Sequence, residues 1–532
     1  MSTVRDAVFE MLRERGMTTV FGNPGSTELP MLADFPDDFR YVLGLQEAVA
    51  VGMADGFAQA SGKPTQVNLH TAPGLGNAMG AIFNAQANKS PLLVTAGQQA
   101  RSLMTLQANL TNRDATRTPH PLVKWSYEPP RAEDVPHAIA RATYLASLPP
   151  RGPAFVSIPM DDWDVEVDAD AVRHQTTRTV GGRTAADSVA VRALAARLAS
   201  AKNPVFVAGP DVDASGAWDV AVALAERQRL PVWATPAPGG GRIGFPENHP
   251  QYRGILPPAI GPLSETLAGH DLILAAGTSI FPYYPNLPGP LLPDGAALVA
   301  ITSDPDEAAR APMGDALVAD VALTLEALLD EVGEADRSLP EPLAAPGELP
   351  ESDPISATNA IRTLADVFPE DGIVVLESPS ATIAVRNQLR LSRPGSYYFG
   401  AGGGLGFGIA ASVGVQLAHP DRQVICILGE GSVQYAVQTF WTAVAYKVPV
   451  TFLILRNAEY AILKWFAEIE SVTGAPGLDL PALDTTAVAS GYGLASKRVS
   501  TRDELHEAMR EAIAAEEPRL VEVGVAPGMS IG

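Results

Sequence analysis

The sequence predicts an α/β protein of three domains, each built on a doubly wound parallel sheet. Its 532 residues are more than one hydrophobic core usually organises, and a chain of this length divides into about three domains. Short apolar runs alternate with amphipathic helical stretches, which is the βα pattern of a parallel sheet. A polar stretch at 168–187 and a proline-rich, acidic stretch at 333–354 interrupt this pattern as linkers. We therefore expect domains at 1–178, 179–340 and 341–532.

The composition narrows the classes of function. A net charge of −22 and a pI near 4.8 argue against nucleic acid or an anionic membrane as the partner. No apolar run approaches the ~18 residues of a membrane span, and the N-terminal MSTVRDAVFEMLRERG indicates a helix rather than a signal peptide. The one cysteine, Cys426, lies in an apolar run and is interpreted as a buried thiol rather than a nucleophile. We expect a cytoplasmic protein that acts on small molecules.

One βαβ unit near the C-terminus carries the clearest chemical signal. An apolar strand predicted over 424–428 ends in a glycine-acid-glycine turn around Glu430, a helix follows, and a second strand over 448–455 leads to Asn457. Ligands of an open parallel sheet lie at the carboxyl ends of the strands, so Glu430 and Asn457 should face one site. The glycines admit a diphosphate, and a carboxylate with an amide oxygen suits Mg²⁺. The alternative is an ordinary turn with a solvated acid.

A second set of polar residues lies in the N-terminal third. The segment TVFGNPGS, from residue 19, predicts a strand that ends in a glycine-proline turn. Glu47 lies at a strand-to-helix boundary among apolar neighbours, where a desolvated carboxyl can donate or share a proton. His70 follows a strand predicted over 65–69 and precedes a glycine-rich stretch, 72–80, that we expect to be a turn. The simpler interpretations are a helix N-terminal acid for Glu47 and a loop histidine bonded to backbone for His70.

Ordered segments along essentially the whole chain resemble thiamine-diphosphate-dependent enzymes. FGNPGSTELP, LQEAVAVGMADGFAQASGKP, NLHTAPGLGNAMGA, PLVKWSYEP, EAARAPMGDA, GSYYF and GGLGFG are most similar to the benzoylformate decarboxylase family. The resemblance implies a pyrimidine-binding, a middle and a diphosphate-binding domain, in that order. It implies thiamine diphosphate with Mg²⁺ or Ca²⁺ as cofactors. The activity it implies is a carboxy-lyase reaction, the non-oxidative decarboxylation of an aromatic 2-oxo acid such as benzoylformate to the aldehyde and CO₂, together with carboligation of aldehydes.

The same resemblance implies roles for individual residues. Glu47 would bond the aminopyrimidine ring, His70 would assist proton transfer, and Ser26 would hold the substrate carboxylate. Glu47 thereby also counts among the cofactor-binding residues, whose other members are Asn23, Pro24, Gly25, Asn77, Ser380, Gly403, Leu405, Gly429, Glu430, Gly431, Ser432, Tyr435, Asn457, Glu459, Tyr460, Ala461 and Ile462. The metal ligands would be Glu430, Asn457 and the backbone carbonyl of Glu459.

The resemblance also bears on the substrate pocket and the assembly. Ile462 and Phe466 lie one helical turn apart and are expected to wall the pocket, the alternative being plain core. A homotetramer is implied, a dimer of dimers in which two chains complete each site. Its ligands would be 2-oxo acids or aldehydes.

Five positions depart from the family pattern. Glu430 replaces aspartate, Arg456 replaces an asparagine, Glu459 and Pro379 replace small polar residues, and Tyr284 stands where a second histidine is expected. We expect the extra methylene of Glu430 to weaken cofactor binding, so that Glu430→Asp would tighten it, and Glu459 to add negative charge near the diphosphate. Three alternatives stay open: a carboligase, a decarboxylase of another 2-oxo acid, and a weakly active relative that binds the cofactor.

Overall fold

The computed structural model describes residues 2–236, 241–347 and 349–530. Within these residues, three six-stranded parallel sheets follow one another along the chain. The predicted fold class, three doubly wound α/β domains, is therefore confirmed. The boundaries at 178 and 340 remain a prediction.

The N-terminal domain begins with a short strand and alternates strands with helices thereafter. Its strands are β1 (Ser2–Thr3), β2 (Thr19–Gly22), β3 (Arg40–Leu43), β4 (Thr65–Leu69), β5 (Leu92–Gln98), β6 (Trp125–Tyr127), β7 (Ala154–Pro159) and β8 (Glu166–Val167). Its helices are α1 (Val4–Glu14), α2 (Leu29–Leu32), α3 (Glu47–Ser61), α4 (Thr71–Ala87), α5 (Arg101–Met104), α6 (Val135–Ser147) and α7 (Ala169–Thr176). The sheet order is β3-β2-β4-β5-β7-β6, and β1 pairs with β8 in a separate antiparallel ribbon.

The middle domain repeats the same layered arrangement. Its strands are β9 (Pro204–Ala208), β10 (Val232–Ala234), β11 (Tyr252–Ile255), β12 (Leu272–Ala276), β13 (Ala297–Thr302) and β14 (Asp315–Val318). Its helices are α8 (Ser188–Ser200), α9 (Pro210–Ala214), α10 (Trp218–Gln228), α11 (Ile260–Thr266), α12 (Pro305–Arg310) and α13 (Val321–Glu331). The sheet order is β11-β10-β9-β12-β13-β14.

The C-terminal domain has the same number of sheet strands. They are β15 (Ile373–Glu377), β16 (Tyr397–Phe399), β17 (Val424–Gly429), β18 (Thr451–Arg456), β19 (Ala495–Val499) and β20 (Arg519–Gly524). Its helices are α14 (Ala357–Ala365), α15 (Thr382–Leu389), α16 (Phe407–Ala418), α17 (Glu430–Val433), α18 (Thr439–Ala445), α19 (Ala461–Ile469), α20 (Thr485–Gly491) and α21 (Arg502–Ile513). The sheet order is β16-β15-β17-β18-β20-β19.

Local sequence signals explain where several helices begin. Thr3 caps α1 and Thr501 caps α21, each in a capping box whose third residue, Asp6 or Glu504, bonds back to the cap. Inside the sheets, β4, β5, β7 and β15 are buried along their whole length, which is why they appear as apolar runs rather than alternating patterns.

The strand order determines where ligands can bind. In the N-terminal sheet the chain turns from β3 on one side of β2 to β4 on the other, and in the C-terminal sheet β16 and β17 flank β15 in the same way. A crevice opens at the carboxyl ends of the strands where the order reverses. The loops after β2 and β4, and after β15 and β17, are therefore the places to look for a site.

Helices α3 and α16 join the N-terminal and C-terminal domains at very close range. A Cβ at Gly56 would lie 2.3 Å from the Ala411 carbonyl oxygen, and one at Gly414 would lie 1.9 Å from that of Met53. Only glycine permits this backbone approach. Buried residues of both domains, Phe21 and Cys426 among them, belong to one hydrophobic cluster, so the two sheets share a core.

The structure differs from the sequence predictions at four places. The helix expected after the Glu430 turn is divided into α17 and α18, and the second strand runs Thr451–Arg456 rather than 448–455. The stretch 72–80 is helical within α4. Its glycines are interspersed with and followed by alanines, which favour the helix. The linker predicted at 168–187 contains α7, which begins at an Asp168 cap.

The predicted linker at 333–354 has no helix or strand among its described residues. Cys426 is buried and unpaired with any other cysteine, as expected. In the part of the chain that the structure describes, no helix combines the length and the apolar character needed to cross a membrane.

Candidate functional site

The loops at the reversal point of the N-terminal sheet place three predicted residues side by side. Gly25 and the exposed Ser26 follow β2, and His70 follows β4 as the N-cap of α4. A Cβ at Gly25 would lie 2.1 Å from His70 Nδ1, so the turn closes on the imidazole only because glycine is there. Asn23 and Pro24 complete the turn, and the Asn23 N–H donates to the Asn68 carbonyl oxygen at 3.2 Å.

A buried carboxylate holds His70 in place. Glu28 is 1% exposed, and its Oε2 lies 2.8 Å from His70 Nδ1. The same carboxylate accepts the N–H of Gly25 at 2.8 Å and that of Gly97 at 2.9 Å, while Thr27 Oγ1 donates to it at 2.8 Å. An acid on Nδ1 fixes the orientation of the ring and leaves Nε2 for chemistry. Glu28 was not among the residues predicted from the sequence, although it lies inside the FGNPGSTELP segment.

The residue after His70 carries backbone strain. Thr71 has φ of +30°, and its buried hydroxyl has no hydrogen-bond partner within the described residues. A β-branched residue in this conformation costs free energy that the surrounding packing must offset. Such strain is typical of positions where the fold holds a functional side chain in a set direction.

Glu47 begins α3, where its side chain is buried and held by one amide. It is 7% exposed, and its Oε2 accepts a hydrogen bond from Asn77 Nδ2 at 3.1 Å. Gln46, the preceding residue, caps the helix by accepting the N–H of Ala48 at 2.6 Å. The Glu47 carboxylate is therefore not used as the helix cap. The structure therefore brings two predicted residues, Glu47 and Asn77, into direct contact.

In the C-terminal domain, the Glu430 carboxylate contacts the loop after β18, which also carries Asn457. Glu430 is 1% exposed, and its Oε1 accepts the N–H of Ala458 at 2.5 Å, so the carboxylate reaches the loop after β18. Burial raises the pKa of Glu430. Asn457 Oδ1 accepts the N–H of Glu459 at 3.2 Å. Gly429 caps α17, which contains Glu430, Gly431 and Ser432.

The oxygen atoms around this turn can supply only part of the coordination shell of a hard cation. Among the described residues, no group of three or more His, Cys, Asp or Glu side chains could hold a metal. One carboxylate, one amide oxygen and one backbone carbonyl supply three oxygens, whereas Mg²⁺ takes about six. The remaining oxygens must therefore come from water and from a ligand such as a diphosphate.

A glycine-rich loop before α16 lies between the two sheets. Gly403, at φ of +71°, and Leu405 belong to it, and Asn84 of α4 holds it by bonding both the N–H and the carbonyl of Gly404, at 3.0 and 2.9 Å. Below the loop, burial raises the pKa of Glu377 to about 8. Its oxygens also accept the N–H of Gly406, which favours the charged form and opposes that shift.

The other predicted residues surround the Glu430 turn. Ser380 lies just after β15, in a short 3₁₀ turn with Pro379, and its carbonyl oxygen accepts the N–H of Ser530 at 3.0 Å. Burial and the neighbouring Tyr435 raise the pKa of Tyr460. Arg456 Nε donates to the Leu483 carbonyl oxygen at 3.3 Å.

Helix α19 presents aromatic and aliphatic side chains beside this turn. Ala461 is its one fully buried residue, and Ile462 and Phe466 are half-buried. Tyr284 of the middle domain is 54% exposed and lies against Phe466, with the ring centroids 4.5 Å apart. Tyr284, which stands where a histidine was expected, thus lies beside α19, whose residues Ile462 and Phe466 were predicted to line the substrate pocket.

A cavity elsewhere in the chain is separate from these residues. Its volume is about 810 Å³, and it lies between the N-terminal and middle domains, with Lys89, Asp211 and Glu307 among its walls. None of the predicted site residues lines it. The cavity is therefore distinct from the predicted site.

Comparison with known proteins identifies the domains. The chain matches family models described as the N-terminal, central and C-terminal domains of thiamine pyrophosphate enzymes, over residues 2–116, 191–328 and 380–523. A benzoylformate decarboxylase of Pseudomonas aeruginosa is 51% identical over 524 residues, which cover 98% of this chain and 99% of that protein.

Solved structures agree with the sequence comparison. A thiamine diphosphate-dependent 4-hydroxybenzoylformate decarboxylase of Rhodococcus jostii matches with a TM-score of 0.96 and 45% identity, and all of both chains is covered. Benzoylformate decarboxylase of Polynucleobacter necessarius matches with a TM-score of 0.95 and 40% identity, again over all of both chains. This chain belongs to the thiamine-diphosphate-dependent enzymes, in the family of the benzoylformate decarboxylases.

Proposed function

We propose that this protein is a carboxy-lyase that uses thiamine diphosphate to decarboxylate an aromatic 2-oxo acid, with benzoylformate as the model substrate. The observation that carries the proposal is the grouping of Ser26, Glu47 and His70 at the carboxyl ends of the N-terminal sheet strands, with the buried Glu28 fixing the imidazole. When bound, thiamine diphosphate supplies the nucleophilic carbon and the electron sink that loss of CO₂ requires. The protein supplies orientation and proton transfer.

Each of the three side chains has a role that its position supports. Glu47 is buried and oriented by Asn77, so it can hold a proton against the aminopyrimidine of the cofactor. Glu28 occupies Nδ1 of His70, which leaves Nε2 available to exchange a proton with the substrate. Ser26 is exposed at the turn, where its hydroxyl can donate to the substrate carboxylate.

The metal site is proposed at Glu430, Asn457 and the Glu459 carbonyl, with Mg²⁺ or Ca²⁺ as the ion. Its support is that the Glu430 carboxylate extends to the loop after β18, where it bonds Ala458 N–H. When bound, the ion would offset the negative charge of the diphosphate. Removal of the ion with a chelator is expected to release the cofactor as well.

The assembly is proposed to be a homotetramer in which each site lies between two chains. The support for this proposal is the family resemblance, in which the residues around Glu47 and those around Glu430 that form one site come from different chains. A dimer would bring the Glu47 group of one chain to the Glu430 group of another across a self-complementary interface. Sedimentation that finds a fully active monomer at assay concentration would contradict this. We also propose that the protein is cytoplasmic.

The experiment that tests the function measures cofactor content and products together. Purified protein is loaded with thiamine diphosphate and Mg²⁺ and given benzoylformate, and aldehyde, CO₂ and 2-hydroxy ketone are quantified. We expect aldehyde and CO₂ in equal amounts. Protein that binds the cofactor but releases no CO₂ from any aromatic 2-oxo acid would overturn the proposal.

Carboligation is the second candidate, and one observation favours it. Tyr284 replaces the expected second histidine, and imidazole is the side chain suited to proton transfer near neutral pH. Slower protonation would leave more time for a second aldehyde to react. A product mixture dominated by the ketone at moderate aldehyde concentration would place carboligation first.

A further inference from the structure

The C-terminal segment 525–530 crosses the strand ends of the diphosphate domain. It leaves β20, donates from Val525 N–H to the Arg456 carbonyl at 2.9 Å, and ends with Ser530 N–H on the Ser380 carbonyl at 3.0 Å. The sheet order places β17 between those two anchor strands, so the segment passes over the turn that contains Glu430. The anchor strands β18 and β15 are two strand spacings apart, about 9.6 Å, and six extended residues reach about 20 Å.

The side chain of Glu459 fastens this segment in the middle. Its Oε1 accepts the N–H of Gly528 at 2.7 Å, and its Oε2 pairs with Lys464 Nζ of α19. The Glu459 side chain is only 9% exposed. Gly528 has φ of +99°, a conformation that glycine adopts readily, and the bend turns its N–H toward the carboxylate.

The loop that carries Glu459 is itself fixed by other contacts. Tyr460 N–H donates to the Leu478 carbonyl and Leu480 N–H donates to the Ala458 carbonyl, both at 2.8 Å. The Glu459 carboxylate is therefore not needed to hold its own loop. Its charge is partly compensated by Lys464, which also pairs with Asp479 at 2.7 Å.

We propose that Glu459 is a positioning residue that holds segment 525–530 closed over the diphosphate end of the site and so slows exchange of the cofactor. The inference rests on the proposed cofactor site. Residues 526–530 are all half-buried or exposed, so no buried side chain anchors them and a few hydrogen bonds hold the segment. The bond to a charged acceptor is the strongest kind among these.

Two readouts on Glu459→Thr, which restores a small polar residue, test the proposal. In the apoprotein, amide hydrogen exchange at Gly528 and Ser530 should become about tenfold faster or more, the effect expected for loss of a charge-assisted bond. In the loaded protein, thiamine diphosphate should leave about tenfold faster after addition of chelator, measured as cofactor retained on a desalting column. Lys464→Met is the matched control, because it removes the ion pairs of Lys464 with Glu459 and Asp479 and leaves the Gly528 bond.

The proposal is overturned if Glu459→Thr keeps the amide protection and the cofactor release rate of the unaltered protein. Equal loss of protection in Lys464→Met would also overturn it, since general loosening of α19 would then be the cause. The exchange measurement needs no cofactor. If the unaltered protein binds no thiamine diphosphate, the proposed function fails. If the unaltered protein binds it and the variant releases it no faster, only the positioning role of Glu459 fails.

Discussion

At the scale of single residues, the site depends on three carboxylates that are buried for different purposes. Glu47 and Glu430 were predicted from the sequence, while Glu28 was revealed by the structure. Glu28 satisfies two backbone N–H groups, a hydroxyl and an imidazole at once, which is why a charged group is tolerated there. Each carboxylate supports a separate prediction.

Glu47→Gln is expected to lower kcat by at least about a hundredfold, because an amide cannot hold and release the proton that cofactor activation requires. Asn77 still finds an acceptor on the glutamine, so the fold should survive. The measurement is kcat at saturating cofactor, with thermal unfolding as the control. Turnover equal to that of the unaltered protein would show that Glu47 is not the activating acid.

Glu28→Gln should reduce kcat by about tenfold to a hundredfold, in the range seen when a group that orients a functional histidine is lost. Only one of the two carboxylate oxygens becomes NH₂, and that NH₂ would face the N–H of either Gly25 or Gly97, so stability should also fall by about 1–3 kcal/mol. Steady-state kinetics and denaturant unfolding measure the two effects. A variant that loses stability but keeps kcat would limit Glu28 to a structural role.

Glu430→Asp is now expected to weaken binding of the cofactor and metal, the reverse of the expectation from sequence. The longer side chain bonds Ala458 N–H at 2.5 Å, a contact that aspartate is too short to keep, so the loop has adjusted to glutamate. Loss of one such bond corresponds to about tenfold in Kd. Titration of apoprotein with thiamine diphosphate at fixed Mg²⁺ measures it. Tighter binding would restore the original interpretation, and no change would remove Glu430 from the metal site.

At the scale of elements, the α3–α16 contact sets the distance between the N-terminal and C-terminal domains. The two helices approach until a Cβ would meet backbone at Gly56 and Gly414, and α3 begins at Glu47. Helix α3 therefore both joins the two domains and positions Glu47, a proposed catalytic residue.

Gly414→Ala should destabilise the protein by about 1–3 kcal/mol or more, because the added methyl overlaps the Met53 carbonyl and the helices must move apart. Gly491→Ala is the matched control, since that helical glycine has no atoms within 4 Å of its Cβ position and is exposed. Chemical denaturation compares the two. If both variants behaved alike, the close approach of α3 and α16 would not contribute to stability.

At the scale of the whole molecule, buried ion pairs connect domains that are distant in sequence. Glu247 of the middle domain meets Arg386 of the C-terminal domain at 2.5 Å, with both side chains at most 3% exposed. Glu247 also accepts the Leu391 N–H at 3.1 Å and a hydrogen bond from Tyr252 Oη at 3.1 Å, so its charge is well compensated. The pair fixes how the middle domain sits on the others.

Glu247→Ala should cost about 3–5 kcal/mol, because it leaves the Arg386 charge buried without a partner. The double variant Glu247→Ala, Arg386→Met should recover part of that loss, since no uncompensated charge remains. Calorimetric unfolding of the three proteins measures the coupling. Additive effects of the two substitutions would show that the pair does not act as a unit.

The sequence by itself determined the fold class, the family and the two sets of polar residues, one in the N-terminal and one in the C-terminal domain. Alternating strand and helix patterns specify parallel sheets, and the polar residues follow strands whose carboxyl ends lie on one edge of each sheet. These signals are local, so one chain segment suffices to recognise them. Glu430 and Asn457 could be paired in this way because a single βαβ unit contains both.

The tertiary structure alone decided the contacts between segments far apart in the chain. Glu28 with Gly97, Asn84 with Gly404, and Glu459 with Gly528 are joined by packing, and no periodicity or spacing encodes such pairs. The direction of a side chain such as Glu459 depends on which distant donor meets it. That is why the sequence predicted an added charge beside the diphosphate, whereas the fold turned the same carboxylate toward Lys464 and the C-terminal segment.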